Sequence, residues 1–179
     1  LNATAKALGL EKRPNRIEVY DNSHIQGSHA VGAMIVSGPE GFMRSEYRKF
    51  NIRLDEIQNR DDTAMMKHVF TRRFRLGDKN GQNIDQTNLP DLIILDGGKG
   101  QLSSISGMLS ESGFGSIPIL AIAKGPKRNS GQEVFYLRDN TNLQIAKNDS
   151  LRYFFQRLRD EAHRFVIGAH RKRRSKALT

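Results

Sequence analysis

A chain of 179 residues, 37% of them apolar, can close one core of respectable size but is too short for two full domains. No run approaches the roughly 18 consecutive apolar residues of a membrane span. The absence of cysteine excludes disulfides and thiolate metal sites, so any metal must rest on Asp, Glu or His. Lys and Arg number 29 against 19 Asp and Glu, a formal charge of +10, which suits a polyanionic partner through counterion release or simply a solvated surface with a basic tail.

The opening LNATAKALGL reads like the inside of a helix, so residues 1–15 are expected to be a lead-in from a longer chain. RIEVYD (16–21) alternates as a strand with Ile17 and Val19 on one face. AVGAMIVS (30–37) and GFMRSEYRKFNI (41–52) read as two further strands joined by the turn residues Gly38, Pro39, Glu40 and Gly41, giving an antiparallel meander. RDDTAMMKHVFTRRFRL predicts a helix capped by Asp61 or Asp62, with Met65, Met66, Val69, Phe70 and Phe74 as its apolar face.

A polar loop over 77–88 leads to LIILD, an unbroken apolar run that suits a strand covered on both faces. Leu102, Ile105 and Leu109 give the next helix its buried stripe, and IPILAIA (117–123) is a second covered strand. After the basic loop 125–132, EVFYL and LQIA read as a short hairpin, and a long helix starts near Asp149 or Ser150. The order predicts an α/β fold: a mixed sheet of three antiparallel strands extended by parallel ones and flanked by helices, as in the ribonuclease H-like fold and in other mixed sheets.

The chemistry begins where LIILD ends, in Asp96-Gly97-Gly98-Lys99. A phosphate loop needs a glycine at 93 and Ser or Thr after the lysine, and neither is present; the dinucleotide fingerprint belongs after a first strand. What remains is a metal ligand at the carboxyl end of a strand, where open α/β sheets place their sites. RIEVYD supplies a partner in Asp21. If the two strands lie parallel and adjacent, both carboxylates reach one edge and repel unless a cation or a proton sits between them. Alternatively, Asp21 only caps a turn in DNSH.

The last helix carries Leu151, Phe154, Phe155, Leu158, Ala162, Phe165, Val166 and Ala169 on its apolar side. At about 100° per residue, His163 falls roughly 120° from the middle of that face, with Arg152, Gln156, Arg159 and His170 on the same flank. A histidine there suits a third metal ligand or a general acid, with arginines turned toward phosphates, or else a half-exposed residue of a charged helix. Asp62 reads as a capping or accessory carboxylate, and His24 lies near Asp21 in sequence. Lys99, Lys124, Arg128, Arg159 and Arg171 would line the carboxylate edge, suiting a nucleic-acid backbone read by shape rather than by sequence.

RIEVYDNSHIQG, EYRKFNI, DDTAMM, LPDLIILDGGKGQL, IAKG and RDEAHRFVIGAHRKRR, in that order, resemble the C-terminal nuclease domain of the UvrC family of bacterial nucleotide excision repair, from about Arg16 to Arg174. The resemblance implies a ribonuclease H-like domain over 16–174 with a tail at 175–179, cytoplasmic, cutting the damaged DNA strand on the 5′ side of a lesion. It maps an Asp-Asp-His triad onto Asp21, Asp96 and His163 and gives Asp62 a share in the cut. It implies Mn²⁺ or Mg²⁺ as cofactor, with manganese the better partner for a nitrogen ligand, and damaged duplex DNA and UvrB as partners. Asn22 stands where many relatives have an apolar residue. The family's second nuclease domain, its UvrB-binding segment and its helix-hairpin-helix pair have no counterpart in these residues. The alternatives are a non-catalytic DNA- or UvrB-binding module of the same fold, a junction-resolvase-type nuclease, and a nucleotide-binding enzyme using Gly97, Gly98 and Lys99.

Overall fold

Strand β1 (Ile17–His24) runs through the middle of the sheet and sets which side chains meet where. The computed structural model describes residues 1–24, 29–56, 61–76, 88–124 and 133–178, with side chains of the last helix described up to Gly168. Before β1 comes α1 (Asn2–Leu8), closed by Gly9 in the left-handed conformation at φ 66°. After it follow β2 (His29–Gly38), β3 (Gly41–Phe42), β4 (Arg48–Arg53), α2 (Asp62–Arg73), β5 (Leu92–Asp96), α3 (Lys99–Glu111), β6 (Ile119–Ala123), β7 (Val134–Leu137), β8 (Asn142–Leu143) and α4 (Ser150–Leu178).

The sheet order is β3-β2-β1-β5-β6-β7-β8, and β4 also pairs with β2. β1, β5 and β6 run parallel, while β2, β3, β4, β7 and β8 pair antiparallel with their neighbours. This is the mixed sheet expected: an antiparallel meander extended by parallel strands. α2 and α3 cover one face through Met65, Met66, Val69, Phe70, Leu102, Ile105 and Leu109. α4 covers the other through Leu151, Phe155, Leu158 and Ala162, joined by Leu1 and by Ala7 and Leu8 of α1. β5 is therefore buried on both sides, which is why its sequence is apolar without alternation.

Three expectations about the strands need correction. DNSH is not a turn. β1 continues through it, paired with β2 as far as His24 opposite Ala30, because eight ladder positions outweigh the turn preference of Asp, Asn and Ser. GFMRSEYRKFNI is not one strand, since a 3₁₀ turn at Arg44–Glu46 splits it. From Phe42 to Arg48 the chain advances six residues while β2 goes back three, from Ser37 to Met34, so three residues bulge out and bring Tyr47 to the α4 side. The final hairpin is Val134–Leu137 with Asn142–Leu143, shorter than EVFYL with LQIA. Of the polar loop expected over 77–88, residues 77–87 lie outside the described residues, as does the basic loop 125–132 with Lys127 and Arg128.

Asn22 sits in β1 on the α2 side, and neither Oδ1 nor Nδ2 of its side chain has a partner among the described residues. Its Oδ1 lies 3.1 Å from where a Cβ on Gly32 would be, a position also hard against Val69. A buried amide without partners costs more than an apolar group of similar size. Asn22→Val is expected to raise stability by about 1 kcal/mol, read as a higher midpoint in urea; a lower midpoint would show that the amide is satisfied.

Candidate active site

Residue parity places the two aspartates. In β1, Ile17 and Val19 face α4 while Glu18 and Tyr20 face α2; in β5, Leu92 and Ile94 face α4 while Ile93 and Leu95 face α2. Asp21 and Asp96 continue the α4 side of each strand. The parallel register puts Tyr20 beside Leu95, so the next position along brings Asp21 and Asp96 to the same carboxyl edge. The ladder stops there, and the edge opens beneath α4.

α4 completes the arrangement with its i, i+4, i+7, i+11 flank. His163 Nδ1 lies 3.2 Å from Asp21 Oδ2, and Arg159 Nε donates to Asp96 Oδ1 at 3.2 Å. Lower on the same flank, Arg152 and Gln156 reach Glu133, at 3.3 and 3.0 Å from its Oε2. The Arg159 guanidinium also reaches Glu133, with NH1 3.5 Å from Oε1. The stripe expected from the helix wheel is real, but its arginines do not turn toward solvent. Arg152 is buried, and Arg159 points inward between two carboxylates.

Asp21 is 7% exposed, and its carboxyl is raised from 3.8 to about 6, first by burial and second by the charge of Asp96. The bond from His163, the Asn22 amide donating to Oδ1 at 2.8 Å and the charge of His163 oppose that rise without cancelling it. Asp21 therefore retains its proton into the weakly acidic range, as a buried carboxyl beside a second carboxylate does. His163 is 61% exposed, and with Nδ1 on Asp21 the ring's Nε2 is left for another partner.

A second set of contacts fixes the helix. The Tyr47 hydroxyl donates to Glu161 Oε2 at 2.8 Å, Arg164 pairs with the same carboxylate, and the Tyr47 and Phe165 rings meet edge-to-face at 5.0 Å. Glu161 precedes His163 by two residues, so this clamp sets the rotation of α4 over the sheet.

The other expected residues fall as follows. Asp61 caps α2, accepting from the Ala64 amide at 2.7 Å, which leaves Asp62 exposed and paired with His24 at 3.2 Å. Among the described residues, no hydrogen bond or ion pair joins Asp62 to Asp21 or Asp96. Lys99 opens α3 with its Nζ 4.9 Å from the Tyr136 ring centre, and Lys124 is exposed just past β6; both are at the carboxyl edge. Arg171 lies on α4 beyond the described side chains, and so does His170. Glu133 was missed. A lone carboxylate after a glycine-containing loop carries no local signal, and only its partners on α4 reveal it.

Among the described residues no three His, Asp or Glu side chains are gathered closely enough to hold an ion. The donor set is two carboxylates with a histidine bonded behind one of them. A cavity of about 380 Å³ opens at the other end of the strands, lined by Leu8, Leu92, Pro118, Ile119 and Leu137. Its charged residues are Arg138, spent on the carbonyls of Ile117 and Ser106, and Asp139, so it has no acid–base set. No helix among the described residues is long and apolar enough to cross a membrane.

Residues 5–167 match the family model described as the UvrC RNase H endonuclease domain. The UvrABC system protein C of Paramagnetospirillum magneticum is 52% identical over 178 residues, covering 99% of this chain and 28% of that protein. The protein of the same name from Sphingopyxis alaskensis is 51% identical over 174 residues, 97% of this chain and 27% of its own length. The chain thus spans less than a third of these relatives. Two solved structures are also similar. Human endonuclease V shows 15% identity and a TM-score of 0.43, over 81% of this chain and 54% of that one. Endonuclease V of Ciona intestinalis bound to inosine-containing DNA shows 14% identity and a TM-score of 0.42, over 63% and 47%.

Proposed function

The chain belongs to the UvrC RNase H endonuclease domain family, and from that premise we propose that it hydrolyses a DNA phosphodiester bond at Asp21 and Asp96 with the help of Mn²⁺ or Mg²⁺. The observation that carries this reading is the convergence of those carboxylates at one carboxyl edge, with Asp21 pushed up to about 6 and Arg159 drawn onto Asp96. Both features mark a place that attracts positive charge. Two carboxylates also suit the ion, because magnesium commonly binds through one or two of them and fills its remaining positions with water and substrate oxygens. When bound, the ion would polarise the scissile phosphate and make an attacking water more acidic.

The chain's own residues supply the rest. Asp21 orients His163 through Nδ1, which leaves Nε2 placed to carry a proton or to serve as a third donor. Lys99 and Lys124 stand at the same edge, where they would hold flanking phosphates, and Arg128 and Arg171 are further phosphate contacts in this reading. Asp62, on the other side of β1, acts as an accessory carboxylate through His24. Attack by water on phosphorus would leave a 5′-phosphate and a 3′-hydroxyl. By way of the relatives' UvrABC system, the substrate is a damaged duplex cut on the 5′ side of the lesion, the partner is UvrB, and the setting is the bacterial cytoplasm. A nitrogen donor at His163 favours manganese over magnesium.

Titration of Mn²⁺ by calorimetry into the wild-type chain, Asp21→Ala and Asp96→Ala tests the site without requiring turnover. One saturable event lost in both variants is the expected result. Uptake indifferent to both changes would favour the non-catalytic binding module.

A further inference from the structure

We propose that Arg159 is a resident counter-cation of Asp96 that the divalent ion must displace, and that Glu133 is the positioning residue that receives it. This rests on the metal reading above and adds a competition within the protein. Arg159 is 15% exposed in its side chain, and its guanidinium is divided between two carboxylates: Nε to Asp96 at 3.2 Å and NH1 to Glu133 at 3.5 Å. Neither contact has the short, paired geometry of a committed Arg–carboxylate bond, commonly about 2.7–2.9 Å. The guanidinium is shared rather than docked.

Glu133 is built to take a larger share. It is buried, with a side chain 6% exposed, and its other oxygen is fixed by Arg152 at 3.3 Å and Gln156 at 3.0 Å. A divalent cation and a guanidinium on the same Asp96 carboxylate repel at close range in a partly buried setting. Arg159 can leave Asp96 without becoming a stranded buried cation only because Glu133 already touches its other edge. Glu133 thus sets how easily Asp96 is released to the ion. All three side chains come from separate parts of the chain, and the α4 flank aligns them.

The test is Mn²⁺ calorimetry on the 179-residue wild-type chain, Arg159→Met, Glu133→Gln and the double variant, with circular dichroism to confirm folding. Arg159→Met should bind Mn²⁺ about tenfold more tightly, because the competitor is gone. Glu133→Gln should bind it about tenfold more weakly, because Arg159 then holds Asp96 alone, and it should have no such effect on top of Arg159→Met. Unchanged or weaker uptake in Arg159→Met overturns the proposal, and so does equal weakening by Glu133→Gln with and without Arg159. If Glu133→Gln fails to fold, Arg159→Met decides by itself. Uptake that is lost in Asp96→Ala yet unmoved by Arg159→Met removes only this inference; no uptake by any variant removes the metal reading with it.

Discussion

Asp21→Asn is expected to lower DNA incision by about a thousandfold or more and yet to raise the melting temperature of the metal-free protein at neutral pH. The two effects share a cause. Burial and then the charge of Asp96 raise the Asp21 carboxyl from 3.8 to about 6. The folded state therefore holds that proton more tightly than the unfolded chain. Stability falls as pH rises from about 4 to about 6, and the whole deficit stands above that window. Two pKa units set a ceiling of about 3 kcal/mol. Asparagine removes the charge, keeps the size and still accepts from His163, so a gain of about 1–2 kcal/mol is expected, or several degrees at roughly 2–4 °C per kcal/mol. Manganese should reverse the order, since wild type alone gains from binding, by about 2.7 kcal/mol at a hundredfold excess over Kd. Melting curves with chelator and with Mn²⁺ check both halves. An asparagine variant that melts lower with chelator, or gains as much from Mn²⁺, contradicts the account.

Much of the fold was legible because its signals are local. LIILD shows a strand covered on both faces by its unbroken apolar run, and Met65, Met66, Val69 and Phe70 show the buried side of α2 by their spacing. What escaped was set by pairing. The turn-like residues of DNSH lie in a strand because β2 runs alongside, and the bulge before β4 leaves no mark in GFMRSEYRKFNI. Both are tertiary decisions imposed on ambiguous local sequence.

The site divides the same way. Two apolar runs, RIEVYD and LIILD, each closing on an aspartate, made the meeting of Asp21 and Asp96 readable, and the helix wheel placed His163 on the flank that reaches them. A wheel gives a direction and no partner, however. It could not say that Arg152, Gln156 and Arg159 meet a buried Glu133 instead of phosphates, nor that Tyr47 holds Glu161 and so fixes the rotation on which His163 depends. The candidate residues were visible from the sequence; the residues that aim them were not.

The largest loss of stability should come from the far side of β1. Arg73→Met is expected to cost about 3–5 kcal/mol, a fifth or more of the roughly 5–15 kcal/mol that holds a typical domain together. Glu18 is fully buried in the α2 and α3 core, held by Arg73 at 2.8 Å, by Arg16 at 2.9 Å and by the Tyr20 hydroxyl. Arg73 ends α2, bonds the Asn88 carbonyl at 2.8 Å and lies over the Phe74 ring. Burial pulls the Arg73 pKa down, but its bond to Glu18 more than restores it; burial and then the Glu18 charge push the Tyr20 phenol well up. The set is thus a carboxylate between two guanidiniums with a neutral phenol donating to it. Removing Arg73 leaves Glu18 in an apolar core with one partially exposed counter-ion, and the cost is that of an undercompensated charge. Removing both, as Glu18→Leu with Arg73→Met, removes the desolvation of the pair as well and should recover much of the loss. Urea melts of the two single variants and the double decide. A loss below 1 kcal/mol in Arg73→Met would mean that Arg16 suffices; a double variant as unstable as Arg73→Met would mean that shape rather than charge is at stake. Mn²⁺ uptake should survive in the double variant, because Glu18 and Asp21 lie on opposite faces of the same strand.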